Sequence, residues 1–181
     1  NTTVEKTKQK KAFNWGVATS SYQIEGAHDI DGRGPSVWDV FSHTKGKVKN
    51  GDTGDIACDH YNKFSDDIKL MKDLGVDSYR FSVAWPRIFP IGTEQKINQK
   101  GMDFYDRLVD KLLENDITPF LTLNHWDMPQ GLEDLGGWTN RETIEHFVKY
   151  GHYMSRCLGD RVINWITHNE PWCISFLGYV E

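Results

Sequence analysis

Cysteine is scarce in this 181-residue chain. Cys58, Cys157 and Cys173 are odd in number and none sits in a C-x-x-C pair, so neither a disulfide framework nor a cysteine zinc site is signalled. No apolar run reaches the roughly 18 residues of a membrane span. Positive charge is not in excess: the formal net charge is −5, which argues against non-specific binding to nucleic acid or to a membrane surface. The basic cluster Lys6, Lys8, Lys10 and Lys11 is short and terminal, and residues 1–11 read as a solvated tail. An initiator Met is missing before Asn1, which reads as a trimmed or processed start. No secretory apolar core is visible, and a removed one leaves no trace. A reducing, cytoplasmic compartment is the expectation, with secretion the alternative.

What the chain does have is a core. Hydrophobic residues make up 38% and aromatic residues 13%, enough for a globular domain, expected over residues 12–181. Strand and helix signals alternate. Strands are expected over 13–19, 76–84, 117–123 and 162–167. Phe64, Ile68, Met71 and Leu74 recur at helical spacing, with Gly75 as the stop. A second helix carries Phe104, Leu108, Leu112 and Leu113, with Asn115 able to end it. Thr139 followed by Glu142 reads as a capping box opening a third helix. The apolar stripe of that helix is Ile144, Phe147, Val148, Gly151 and Met154, and Gly159 closes it.

Strands separated by helices of several turns are expected to be parallel, because a parallel pair needs a crossover. Two α/β architectures fit: a doubly wound sheet and a TIM (β/α)8 barrel. Gly32-Arg33-Gly34-Pro35 is a poor phosphate loop for the first, since it lies far from the strand and Pro35 lacks an N–H. The barrel places catalytic groups at the C-terminal ends of its strands and in the long loops that follow. Residues 20–60, 85–99 and 124–138 are such loops. The expected architecture is therefore a (β/α)8 barrel, of which this chain supplies about the first four βα units.

The strand ends carry chemistry. The first is followed by Ser21, Tyr22, Gln23, Ile24 and Glu25; Arg80 lies on the second; the third ends in Asn124, His125 and Trp126; the fourth in Asn169 and Glu170. Amides, an imidazole and indoles suit a sugar, whose hydroxyls take bidentate bonds and whose C–H faces pack on aromatic rings. Asp52, Asp55, Asp59 and His60 look like a metal cluster by composition, but their spacing fits neither a calcium loop nor a zinc helix motif. His43, His146, His152 and His168 show no ligand spacing. No metal and no cofactor is expected.

These residues resemble glycoside hydrolase family 1, the β-glucosidase family. The markers run in order over residues 13–180: Trp15-Gly16-Val17-Ala18-Thr19-Ser20-Ser21-Tyr22-Gln23-Ile24-Glu25-Gly26; Gly51-Asp52-Thr53-Gly54-Asp55-Ile56-Ala57-Cys58-Asp59-His60-Tyr61; Tyr79-Arg80-Phe81-Ser82-Val83-Ala84-Trp85-Pro86-Arg87-Ile88; His125-Trp126-Asp127-Met128-Pro129-Gln130; and Asn169-Glu170-Pro171-Trp172. The resemblance implies that Glu170 is the acid/base catalyst of a retaining β-glycosidase acting on terminal β-linked sugars. It further implies that Gln23, His125 and Asn169 bind sugar hydroxyls, with Asn169 near the 2-OH. Trp126 would line the same subsite, Trp172 would pack on the leaving group, and Arg80 would orient the nucleophile. The plain structural alternatives are packing for the two indoles and an ion pair for Arg80.

A retaining glycosidase needs a second carboxyl about 5 Å from the first. The family's nucleophile lies in a Glu-Asn-Gly motif at the end of a seventh strand, and no such motif occurs in this sequence. The implied partners are thus a small-molecule β-glycoside and the remaining C-terminal half of the barrel, with no nucleic acid and no membrane. The expected parent is about 400–450 residues long, within the barrel range. The competing expectation is a catalytically inactive half barrel that binds sugar or serves a structural role.

Overall fold

In the computed structural model, which describes residues 13–180, four parallel strands lie side by side in chain order. They are β1 (Gly16–Ala18), β2 (Ser78–Ser82), β3 (Thr118–Asn124) and β4 (Asn164–His168). Each lies where its run was expected, with ends within two residues except that β1 begins three residues after the expected start. The helices are α1 (Ser21–Ile24), α2 (Val37–His43), α3 (His60–Leu74), α4 (Trp85–Ile88), α5 (Gln99–Glu114), α6 (Gln130–Glu133) and α7 (Arg141–Leu158). The long helices α3, α5 and α7 are the crossovers between successive strands. The expected tail over residues 1–11 lies outside the described residues.

Strand order separates the two candidate architectures. A doubly wound sheet reverses direction after its first strands. Here the order is β1-β2-β3-β4 without reversal, as in a barrel wall. The two faces of the sheet are chemically distinct. Tyr79, Phe81, Leu121 and Leu123 are buried in one core with Ile68, Leu108, Leu112 and Met154 from the crossover helices. Arg80 pairs in register with Phe120, and Ser82 with Thr122, on the opposite face. From the apolar runs alone, Phe120, Leu121, Leu123, Ile163 and Ile166 are expected on an apolar inner face. Leu121 and Leu123 instead face the helices, and Ile163 precedes the strand and is 81% exposed. The inner face is mixed, with Arg80, Ser82 and Thr122 beside Phe120 and Ile166. That polarity suits a face that lines a site.

The helix boundaries follow local chemistry, with some corrections. Gly75 closes α3 at φ 74°, a left-handed conformation that costs glycine little. Asn115 follows α5 as expected. Thr139 does not cap α7. It lies in a 3-10 turn, Gly137–Thr139, and its hydroxyl donates to the Gly136 carbonyl. Asn140 is the cap, its side-chain oxygen accepting from the Glu142 N–H at 3.0 Å. The buried face of α7 is Thr143, Tyr150, Met154 and Leu158, while Ile144 and Val148 are exposed. Tyr150 explains the rotation. It stacks on Trp85 at 4.9 Å and donates its hydroxyl to the Leu123 carbonyl at 3.1 Å. A tyrosine that carries its own hydrogen bond into the core outcompetes aliphatic neighbours for the inner position.

One buried ion pair ties the loop after β1 to α4. Glu25 accepts from Arg87 Nε at 3.1 Å, and the two side chains are only 5% and 1% exposed. Tyr105 donates its hydroxyl to the other carboxylate oxygen, and the guanidinium lies 4.3 Å from the Tyr61 ring centroid. Glu25 is thus structural. Removing one partner strands a buried charge, so Glu25→Gln is expected to destabilise the complete protein by about 3–5 kcal/mol. Denaturant unfolding measures this, and a loss below about 1 kcal/mol, the range of an exposed pair, would contradict it.

Candidate active site

The C-terminal ends of the strands meet through hydrogen bonds that link all four. Thr19, just past β1, donates its N–H to the Arg80 carbonyl at 2.9 Å, and Asn169 donates its N–H to the Asn124 carbonyl at 2.9 Å. From β2, Arg80 reaches sideways across β3. Its Nε donates to Thr122 Oγ1 at 3.1 Å and its Nη2 to Asn169 Oδ1 at 2.7 Å. Arg80 makes no salt bridge among the described residues, so the structural ion-pair alternative has no partner there.

The Arg80 contact fixes the Asn169 amide. A guanidinium can only donate, so the atom facing it is the carbonyl oxygen and the NH₂ group is turned elsewhere as a donor. Asn169 is itself 92% shielded, being 8% exposed, so its orientation is tightly held. Trp126 adds a latch on the backbone: its indole Nε1 donates to the Asn169 main-chain carbonyl at 2.9 Å. The indole is therefore more than packing, and it pins the loop after β3 to the end of β4. His125 sits next to it, ring centroids 5.5 Å apart. Burial is the main cause that lowers the His125 pKa below the ordinary value; the Arg80 charge adds to it and Glu170 opposes it. A neutral imidazole is the form that both donates and accepts.

Glu170 is exposed at the end of β4 with backbone φ 44°, and Trp126 has φ 69°. Left-handed backbone at non-glycine residues costs of order 1–3 kcal/mol each and persists where the surroundings enforce it. Here the Glu170 carbonyl accepts from the N–H of Cys173 at 2.9 Å, closing the turn that follows. Gln23, on α1, is exposed and its side chain has no partner among the described residues. Trp172 is 58% exposed and stacks on Phe176, centroids 5.1 Å apart. Arg80, His125, Trp126, Asn169 and Glu170 are therefore brought together. Gln23 stands at the neighbouring strand end, and the Trp172 ring is engaged with Phe176.

A buried network supports this rim and was not foreseen. Ser21 donates its N–H to Ser82 Oγ at 2.7 Å, Ser82 donates its hydroxyl to Ser21 Oγ at 3.0 Å, and Ser21 Oγ donates to Asp127. The signal was present in the strand alternation: Arg80 and Ser82, and Thr122 and Asn124, are polar at every second position of apolar strands. Asp127 is fully buried, and burial pushes its pKa up to about 7 against the opposing Ser21 hydrogen bond. A raised folded-state pKa means the folded protein keeps a proton that the unfolded chain releases. That stabilisation is complete below the ordinary carboxylate range and is lost as pH rises through about 7. Asp127→Asn is expected to gain stability relative to the parent as pH is raised across that window. A stability difference that stays flat in stepped-pH unfolding would contradict it.

His168, which shows no ligand spacing in the sequence, stacks on Phe147 at 4.5 Å and takes part in a 3.2 Å hydrogen bond with Asn124 Nδ2. His60 is likewise structural, its Nδ1 lying 2.6 Å from Asp67. No helix among the described residues is long and apolar enough to cross a membrane.

The sequence profile of Glycosyl hydrolase family 1 matches residues 5–181. The chain belongs to that family. It is 57% identical over 169 residues to "Beta-glucosidase A" of Acetivibrio thermocellus, covering 93% of this chain and 38% of that protein. It is 61% identical over 165 residues to "Thermostable beta-glucosidase B" of Thermobispora bispora, covering 91% of this chain and 34% of that protein. The solved β-glucosidase from Thermotoga maritima in complex with deoxynojirimycin superposes with a TM-score of 0.92 at 55% identity, covering 95% of this chain and 39% of that one. The chain thus spans a little over a third of the length of the relatives it matches, and its four βα units are part of a (β/α)8 barrel.

Proposed function

We propose that this chain carries the acid/base half of a retaining β-glucosidase active site. The observation that carries the reading is the Arg80–Asn169 contact at 2.7 Å, which sets the residue beside Glu170 with its amide N–H groups turned away from the guanidinium. An NH₂ group held in that way is suited to the oxygen of a sugar 2-OH, and a bond there that strengthens as the anomeric carbon gains charge lowers the barrier. Glu170 donates its proton to the glycosidic oxygen as the bond breaks, then takes a proton from the water that attacks the glycosyl-enzyme. The neutral His125 and Gln23, which has no side-chain partner among the described residues, supply further hydroxyl contacts, Trp126 presents an apolar wall to the sugar, and Trp172 packs on the leaving group. Arg80, free of any described carboxylate, is placed to hold the nucleophile, which the remainder of the polypeptide brings. O-linked β-glucosides of aryl or alkyl alcohols and of sugars are the substrate class.

The test is proton NMR of an aryl β-glucoside incubated with the complete protein. Release of β-glucose first, with α-glucose growing in only by mutarotation, is expected. Release of the α anomer first, or no release, would overturn the proposal.

A further inference from the structure

A second cluster of ligand-bearing side chains lies in the loop between β1 and α3. His28 follows α1, His43 is the last residue of α2, and Asp55 lies in the segment that leads to α3. One ligand atom from each falls within 4.8 Å of the others. His43 Nε2 is 2.9 Å from Asp55 Oδ1 and 3.0 Å from Oδ2. His28 Nδ1 is 3.8 Å from the same Oδ1. A tetrahedral zinc with bonds of about 2.0–2.2 Å holds neighbouring ligand atoms about 3.4 Å apart. The separations to Asp55 straddle that value and the two imidazole nitrogens lie within 4.8 Å of each other, so side-chain rotation without backbone movement brings the three groups to coordination distance.

The supporting frame is built for this meeting. The Tyr22 hydroxyl donates to Ser42 Oγ at 2.9 Å and accepts from the Gly54 N–H at 3.1 Å. Ser42 and Gly54 immediately precede His43 and Asp55, so one tyrosine sets the position of two of the three groups. Gly54 is required for the approach, because a Cβ there would come within 2.7 Å of the Tyr22 ring. The His28 carbonyl is fixed in turn by Arg33 Nη1 at 2.9 Å. The three side chains are 29%, 43% and 30% exposed, which leaves a coordination position open to water, with Asp29 Oδ1 3.7 Å from His28 Nδ1 as a further oxygen nearby.

We propose that His28, His43 and Asp55 bind one divalent transition-metal ion of the zinc class. Two imidazoles and one carboxylate favour zinc, cobalt or nickel over calcium and magnesium, which take oxygen ligands. The ion would clamp α2 and the 52–59 segment to the end of α1, the helix that carries Gln23. Linear spacing conceals the site, because each ligand comes from a separate segment.

The experiment is titration of the chelator-stripped complete protein with zinc chloride by calorimetry and with cobalt(II) by visible absorption. One equivalent should bind, with the strong ligand-field absorption of tetrahedral cobalt and no thiolate charge-transfer band. His43→Ala and Asp55→Ala should each weaken zinc binding at least about tenfold. Zinc should raise the melting temperature of the parent but not of His28→Ala. No saturable binding, undiminished affinity in the variants, or a thiolate band reporting Cys58 instead would overturn the proposal. Should a variant misfold, the cobalt spectrum of the unaltered protein decides alone.

Discussion

Glu170→Gln in the complete enzyme is expected to cut turnover of substrates with poor leaving groups by about 10²–10⁴-fold, the usual worth of general acid catalysis. Glutamine keeps the shape and one acceptor oxygen but has no acidic proton to give. A leaving group that departs as a stable anion needs little of that proton, so bond cleavage in a nitrophenyl glucoside should suffer far less than in an alkyl glucoside or a disaccharide. Presteady-state bursts on a series of aryl glucosides measure the cleavage step itself. The slope of its rate against leaving-group pKa should steepen in the variant. An equal loss across leaving groups of widely differing pKa would remove Glu170 from the acid role. The surroundings favour the assignment: the carboxyl is exposed, and its backbone is held at φ 44° in a turn closed by Cys173.

The second large effect is the inactivity of the isolated 181-residue chain. Retention needs a carboxylate across the anomeric carbon from the acid, about 5 Å away. The acidic residues nearest the rim in sequence are spoken for: Asp127 is fully buried and accepts from Ser21, and Glu25 is locked to Arg87. No turnover of an aryl β-glucoside is expected, and activity of the verified chain, with other enzymes excluded, would contradict this. Among the described residues the four parallel strands also leave β1 and β4 as edges, and exposed edge groups invite pairing with another chain. Trp15, Ile163 and Leu177 are 68%, 81% and 74% exposed. Light scattering on the isolated chain should therefore report association rather than a stable monomer. A well-folded monomer at micromolar concentration would show that four units suffice.

The sequence made the strand-helix alternation legible because each crossover helix carries a strong helical period and each strand is a short apolar run. It misplaced details where polar atoms do core work. Tyr150 turned α7 because its hydroxyl reaches the Leu123 carbonyl, a bond that an apolar count cannot weigh. Asn140 displaced Thr139 as the cap, because the Thr139 hydroxyl is engaged with the Gly136 carbonyl while the Asn140 side chain accepts from the Glu142 N–H. Leu121 and Leu123 belong to the helix-facing side because they alternate with Thr122 and Asn124, a period that the apolar run read as a whole conceals. The site was legible as a set of strand ends. The bonds that organise it were not, since Arg80 and Asn169 are joined only when β2 and β4 flank β3. The His28, His43 and Asp55 meeting is hidden for the same reason.

The central claim, that Glu170 is the acid/base catalyst of a retaining enzyme, is tested most directly by azide rescue of Glu170→Ala in the complete protein. With the carboxylate gone, an activated aryl glucoside should still form the glycosyl-enzyme but stall there for want of a base. A small anion can then attack where Glu170 would have guided water. Added azide should restore turnover and yield the β-glucosyl azide, with the configuration of the substrate retained. Recovery of the α-glucosyl azide would make Glu170 the nucleophile, and no rescue at any azide concentration would contradict its part in catalysis.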